Sequence, residues 1–150
     1  MKMYVWFIVG AILSWGCYVP ILHHGQQLLK NGALRGFLCV GVAYFFTAVL
    51  IPLGLLAAKV EPWEWNMKGA SYATVAGVLG AAGALFIILA IKAGGSPLVI
   101  APLVFAGAPI VNTLLTIGWQ PPKSAPPALF YVGLALAASG AFLVLRFKPT

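Results

Sequence analysis

The residues best placed to do chemistry lie in the stretch Pro97–Gly118, which is otherwise apolar. Pro102 and Pro109 stand seven residues apart, and Phe105, Asn112 and Thr116 continue the same helical face at three- and four-residue steps, with Thr113 beside them. An interior proline removes one backbone hydrogen bond and crowds the carbonyl four residues earlier. In hydrocarbon the freed groups need new partners, so a helix of this kind faces protein or a watery cavity. Two readings follow for Asn112, Thr113 and Thr116. They bond to neighbouring helices across a kink, or they present polar groups to a solute at membrane depth. Ser14, Trp15 and Tyr18, with Tyr44 and Thr47, are candidates to line the same path.

Other reactive groups are few. His23 and His24 are adjacent, and on a helix their side chains would point about 100° apart, which does not suit joint chelation of one metal. They read as an interfacial cap near a helix C-terminus or as a proton-linked group at the mouth of a pathway. The two acids, Glu61 and Glu64, share one loop and leave little for carboxylate chemistry. Cys17 and Cys39 lie in apolar runs, where a small buried hydrophobe is expected rather than a disulfide or metal ligand. Gly77-Val-Leu-Gly80-Ala-Ala-Gly83 lacks the lysine of a phosphate loop. Gly77, Gly80 and Ala84, at four-residue steps or nearly so, are expected to let another backbone approach closely. No catalytic set, metal-ligand spacing or cofactor fingerprint emerges, so no enzyme, metal or cofactor is expected.

The elements that must position these residues follow from composition. Of 150 residues, 62% are hydrophobic and 7% charged, with a mean hydropathy of +1.01. A soluble domain carries about 25% charged residues, so a water-covered globule is excluded. Five apolar runs, Tyr4–Leu22, Gly36–Ala58, Gly69–Ile91, Pro97–Gly118 and Ala128–Leu145, are 18 to 23 residues long and free of Lys, Arg, Asp, Glu and His. A helix needs about 20 residues to cross a bilayer core, whereas barrel strands are about 10 residues of alternating pattern. The expectation is an all-α integral membrane protein with five transmembrane helices in one domain. The run Tyr4–Leu22 contains Pro20 and lacks a small-x-small cleavage signature, so it is expected to be retained as a helix. His23–Arg35 reads as a polar loop, Lys92–Ser96 as a very short turn, and Gln120–Pro127, with four prolines, as a stiff extended connection.

Nine basic residues against two acids give a net charge of +7. In a soluble protein that balance would suggest nucleic acid, but the five spans exclude that partner. Five crossings place the termini on opposite sides. Lys2, Lys59, Lys68 and Lys123 then fall on one face, and Lys30, Arg35, Lys92, Arg146 and Lys148 on the other. By the positive-inside rule, five against four barely orients the chain. A cytoplasmic C-terminus has a slight edge, and insertion in both orientations stays open. Tyr4, Trp6, Trp63, Trp65, Trp119 and Tyr131 all fall at the N-terminal face and read as an interfacial belt.

The stretch Ala90-Ile-Lys92-Ala-Gly-Gly-Ser-Pro-Leu-Val-Ile-Ala-Pro102-Leu, with Ala108-Pro109-Ile-Val, resembles the third-to-fourth helix segment of EamA-type units of the drug/metabolite transporter superfamily. Ser14-Trp15-Gly16 followed by Pro20, and five spans in this length, look like the same unit. Trp15-Gly16 and Gly41-Val-Ala-Tyr44 also resemble the sugar-porter branch. The resemblance implies two five-helix units, inverted around a central substrate path, where this chain supplies one. It therefore implies a half-size transporter in a bacterial cytoplasmic (inner) membrane. Its partner would be a second copy, antiparallel or not, or a separate five-helix half, and its substrate a small polar or amphipathic solute. Small multidrug resistance proteins, four-helix relatives, depend on a glutamate in the first helix. This sequence has no acid in any span, so facilitated diffusion or exchange is expected over proton antiport. The competing expectation is a non-transporting membrane subunit that packs against a partner complex through the Gly77–Ala84 face.

Overall fold

The computed structural model describes residues 2–148, and among them the regular structure is entirely helical. Five helices are long and apolar enough to cross a membrane: α1 (Tyr4–Leu28), α2 (Ala33–Ala57), α3 (Met67–Lys92), α4 (Pro97–Trp119) and α5 (Ala128–Arg146). The chain is an integral membrane protein by this measure, as its composition requires. At 1.5 Å per residue the shortest of them still spans about 28 Å, close to the thickness of a bilayer core.

The helix ends show why each element starts and stops. Asn66 accepts from the backbone N–H groups of Lys68 (2.9 Å) and Gly69 (3.2 Å), capping α3. Ser96 accepts from Leu98 N–H at 3.3 Å, and Pro97, which has no N–H to leave unsatisfied, opens α4. At the other ends, α1 and α2 close with the same pair of bonds. Asn31 N–H reaches Gln26 O and Lys30 N–H reaches Gln27 O; Val60 N–H reaches Leu55 O and Lys59 N–H reaches Leu56 O. This is the Schellman closure, and it drives the residue after the cap into the left-handed region. Lysines fill that position in both, Lys30 at φ 53° and Lys59 at φ 58°, whereas α3 uses Gly94 at φ 93°.

Two features depart from the sequence reading. The segment His23–Leu28, expected as loop, continues α1 by almost two turns, and α2 begins at Ala33 rather than Gly36. Polarity marks where the hydrocarbon ends, but His, Gln and Leu are all compatible with a helix, so α1 runs on past that boundary. Within α2, residues Phe46–Leu50 form a π-helical turn in which Ile51 N–H bonds to Phe46 O. Pro52 follows directly; it cannot donate to Ala48 O and crowds that carbonyl, which favours a locally widened helix. Pro102 and Pro109, by contrast, do not break α4, which is helical from Pro97 to Trp119. Cys17 and Cys39 are free and exposed on α1 and α2 rather than buried.

Contacts divide the chain into two compact units, residues 20–94 and residues 1–19 with 95–150. In the first, α2 packs on α3, and the buried set is Ala33, Gly36, Ala84, Ile87, Ile88 and Ile91 with Gln26. In the second, α4 packs along α5. No spanning window is more than 22% buried, so most of the helical surface faces outward, as a lipid-embedded chain permits. Replacing Lys59 by glycine removes the steric cost of an L-residue at φ 58° and is expected to stabilise the protein by about 1 kcal/mol. Thermal unfolding in detergent, followed by circular dichroism, checks this; an unchanged or lower midpoint contradicts it.

Candidate functional site

In the unit of residues 1–19 and 95–150, α1 presents Ser14, Trp15 and Tyr18 on one face, spaced so that Trp15 and Tyr18 are one turn apart. Their rings meet edge-to-face at 5.5 Å, and Trp15 meets Phe105 of α4 at 6.1 Å in the same manner. Three residues singled out from sequence thus form one aromatic cluster, and offset or edge-on ring pairs are the favoured geometry. Ser14 is exposed beside them.

Above Phe105 the α4 face continues through Pro102, Pro109, Asn112 and Thr116, all exposed, with Thr113 half-buried. Four hydroxyls on other stretches of the spanning helices turn back on their own backbone. Thr47 donates to Ala43 O, Ser71 to Met67 O, Thr74 to Ala70 O and Ser139 to Ala135 O, each at 2.8 Å. Among the described residues, Asn112, Thr113 and Thr116 make no such bond. Pro109 also deprives Phe105 O of its ordinary helical donor. The α4 face therefore carries a carboxamide, two hydroxyls and an under-bonded carbonyl along a helix of hydrocarbon length. Unsatisfied amides are costly in an apolar medium.

Tyr44 and Thr47 belong to the other unit, residues 20–94, where Thr47 lies in the π-helical turn. Both are exposed, and such turns re-aim side chains within a helix. In the same unit, the last turns of α1 carry a polar group that sequence reasoning only half found. His23 Nε2 and Gln27 Nε2 are 3.0 Å apart, while His24 is exposed. Gln26, one turn on from His23, is 2% exposed and donates from Nε2 to Ile88 O at 3.2 Å; its Oε1 has no partner among the described residues. Gly36 allows this approach, since a Cβ there would lie 3.3 Å from Gln26 Cγ. The three- and four-residue steps from His23 to Gln26 and Gln27 were the available signal, hidden because the segment reads as loop.

On α3, Ala84 is buried, while Gly77 and Gly80 are exposed and meet nothing within 4 Å. Trp63 and Trp65 pair edge-to-face at 6.3 Å in the connection between α2 and α3, exposed as an interfacial pair would be. Among the described residues no group of three or more His, Cys, Asp or Glu could hold a metal ion.

Comparison with known protein families, characterised proteins and solved structures gives no match. The chemistry of the site therefore rests on its own geometry.

Gln26 is the polar tie between α1 and α3, so Gln26→Ala, which loses the bond and leaves a void, is expected to destabilise the protein by about 1–3 kcal/mol. The exposed control Gln27→Ala should stay within about 0.5 kcal/mol of wild type. Unfolding of both variants in mixed micelles measures the difference; equal stability of the two would remove Gln26 from this role.

Proposed function

We propose that this chain is a five-helix unit of a membrane transporter, which pairs with a second such unit and moves a small polar or amphipathic metabolite by alternating access. The observation that carries the reading is the α4 face, where Asn112 and Thr116 stand exposed, with Thr113 beside them, and make no side-chain bond among the described residues. Bare in lipid, a carboxamide and two hydroxyls would be poorly solvated. Covered by a second unit or turned to a hydrated path, they become ligands for a polar solute, with the Trp15–Tyr18–Phe105 cluster as its apolar wall. The resemblance of Ala90–Leu103 and Ala108–Val111 to EamA-type units points the same way, and so does the placement of Pro102 and Pro109 on that face.

The partner in this reading is a second copy or a separate five-helix half. The five-to-four division of Lys and Arg between faces permits either orientation, with the C-terminal face slightly favoured as cytoplasmic, in a bacterial inner membrane. No span carries an acid, so uniport or exchange suits the chain better than proton antiport, and His23 and His24 are the groups left for any proton linkage. A second reading has one observation behind it. Gly77 and Gly80 form an open small-residue face on α3, which fits a non-transporting subunit docked on another membrane protein. Cross-linking in native membranes separates the two: a transporter half captures itself or a similar five-helix chain, and a subunit captures an unrelated protein.

The direct test is solute flux into liposomes containing the purified protein. Wild type is expected to equilibrate at least one member of a broad panel of small metabolites. Asn112→Leu, which keeps the volume and removes the amide, should slow that flux by about tenfold or more, equivalent to about 1.4 kcal/mol in barrier height. Its helical content should be unchanged. A wild-type protein that moves no solute would sink the proposal.

A further inference from the structure

The end of unit 20–94 where α1 stops, α2 starts and α3 ends is concave. An open pocket of about 400 Å³ lies there, lined by Lys30, Asn31, Arg35 and Lys92 and by the segment Gly32–Leu34. Three of these residues are cationic, all exposed, and no acidic residue is among them. The two carboxylates of the chain, Glu61 and Glu64, lie in the connection at the opposite end of α2 and α3. The 25 residues of α2 separate the two ends by about 37 Å, several screening lengths at physiological salt. Among the described residues, none of the three cations has an ion pair or a side-chain hydrogen bond.

At the start of α2 the backbone adds to the positive field, while the C-terminal ends of α1 and α3 at the same end of the unit are offset by Lys30 and Lys92. Gly32, at the start of α2, offers no side-chain acceptor, and the first turn carries no acid. The N–H groups of that turn therefore point outward with the positive end of the helix dipole. Arg35 makes the imbalance larger. Its guanidinium folds back over this end, so that a Cβ on Gly32 would sit 2.8 Å from Arg35 Cζ. A cation over a helix N-terminus is in an unfavourable place unless an anion lies with it. Lysines at 30 and 92 compound the repulsion.

We propose that this pocket binds a phosphate group, the chemistry shared by an anionic phospholipid headgroup and a free phosphate. A planar guanidinium can grip two phosphate oxygens at once, two ammonium groups add point charge, and helix N–H groups complete an anion cradle. The volume exceeds that of a phosphate, leaving room for the alcohol moiety of a headgroup. The pocket stands at the end of three spanning helices, the position at which basic clusters meet anionic lipid. This site is independent of the transport reading and would serve a transporter or a subunit equally.

The test is calorimetric titration of the purified protein in a nonionic detergent with three probes: dihexanoyl-phosphatidylglycerol, inorganic phosphate and dihexanoyl-phosphatidylcholine. Phosphatidylglycerol or phosphate is expected to bind at one site, more weakly as salt is raised. The double variant Arg35→Gln/Lys92→Gln should weaken binding by at least about tenfold, and Lys68→Gln, at the opposite end of α3, should leave it unchanged. Binding of phosphatidylglycerol without phosphate assigns a lipid ligand, and comparable binding of both assigns the free anion. Helical content and gel-filtration behaviour check that the double variant is folded; if it is not, Lys30→Gln in the exposed turn replaces it. The proposal is overturned if neither anion binds, if phosphatidylcholine binds as well as phosphatidylglycerol, or if the folded variant binds like wild type.

Discussion

Hydrocarbon offers no hydrogen bonds, and everything in this protein is arranged around that fact. Backbone groups pair within helices because nothing else can pair with them. Side-chain hydroxyls obey the same constraint: Thr47, Ser71, Thr74 and Ser139 each return to a carbonyl four residues back. Prolines are where the constraint is strained. Around Pro52 the helix widens into a π turn, whereas α4 accepts Pro102 and Pro109 with its helical path intact. The price of keeping α4 regular is a pair of carbonyls, on Leu98 and Phe105, without their ordinary donors. Asn112 and Thr116 stand on the same face, so the unmet polarity of α4 is gathered on one stripe.

At the helix ends the solvent changes and so does the rule. Asn66 and Ser96 cap their helices, while Schellman closures end α1 and α2 at the cost of two lysines in the left-handed region. Charge at these ends is not balanced locally. Lys92 lies in the last turn of α3, where it complements the negative end of the dipole. Arg35 lies in the first turn of α2, where it opposes the positive end. An acid at either of the first two positions of α2 would have relieved this, and none is present. The net charge of +7 is therefore not spread as independent anchors; part of it is focused on one concave surface.

The five spans were legible because length and apolarity are themselves the physical requirement for crossing a bilayer. The start of α4 at Pro97 and of α5 at Ala128 were legible too, since proline and its neighbours fix where a helix can begin. The end of α1 was not, because His23, Gln26 and Gln27 look like loop by polarity yet continue the helix. The π turn precedes Pro52, but proline alone does not say whether a helix breaks, widens or runs on, as the unbroken α4 demonstrates. In the candidate site, the pairing of Trp15 with Tyr18 follows from three-residue spacing, and their meeting with Phe105 does not. Gln26 was illegible for a stronger reason: its burial is set by Ile88, 62 residues away.

The contrast between Gln26 and Asn112 explains how one kind of side chain serves two ends. Lipid tails are as apolar as leucine, so apolar contact alone gives little preference for one helix neighbour over another. A buried amide does, because it has few places where its bond can be made. Interhelical bonds of this sort contribute about 0.6 to 2 kcal/mol each, too little to hold helices alone but enough to choose a register for Ile87, Ile88 and Ile91. Gln26 has made that choice within its own unit, with α3 as its partner. Asn112 carries the same carboxamide and has made none among the described residues. An amide without a partner on a spanning helix is a demand for one, and what meets it must come from beyond the face that α4 turns to α5.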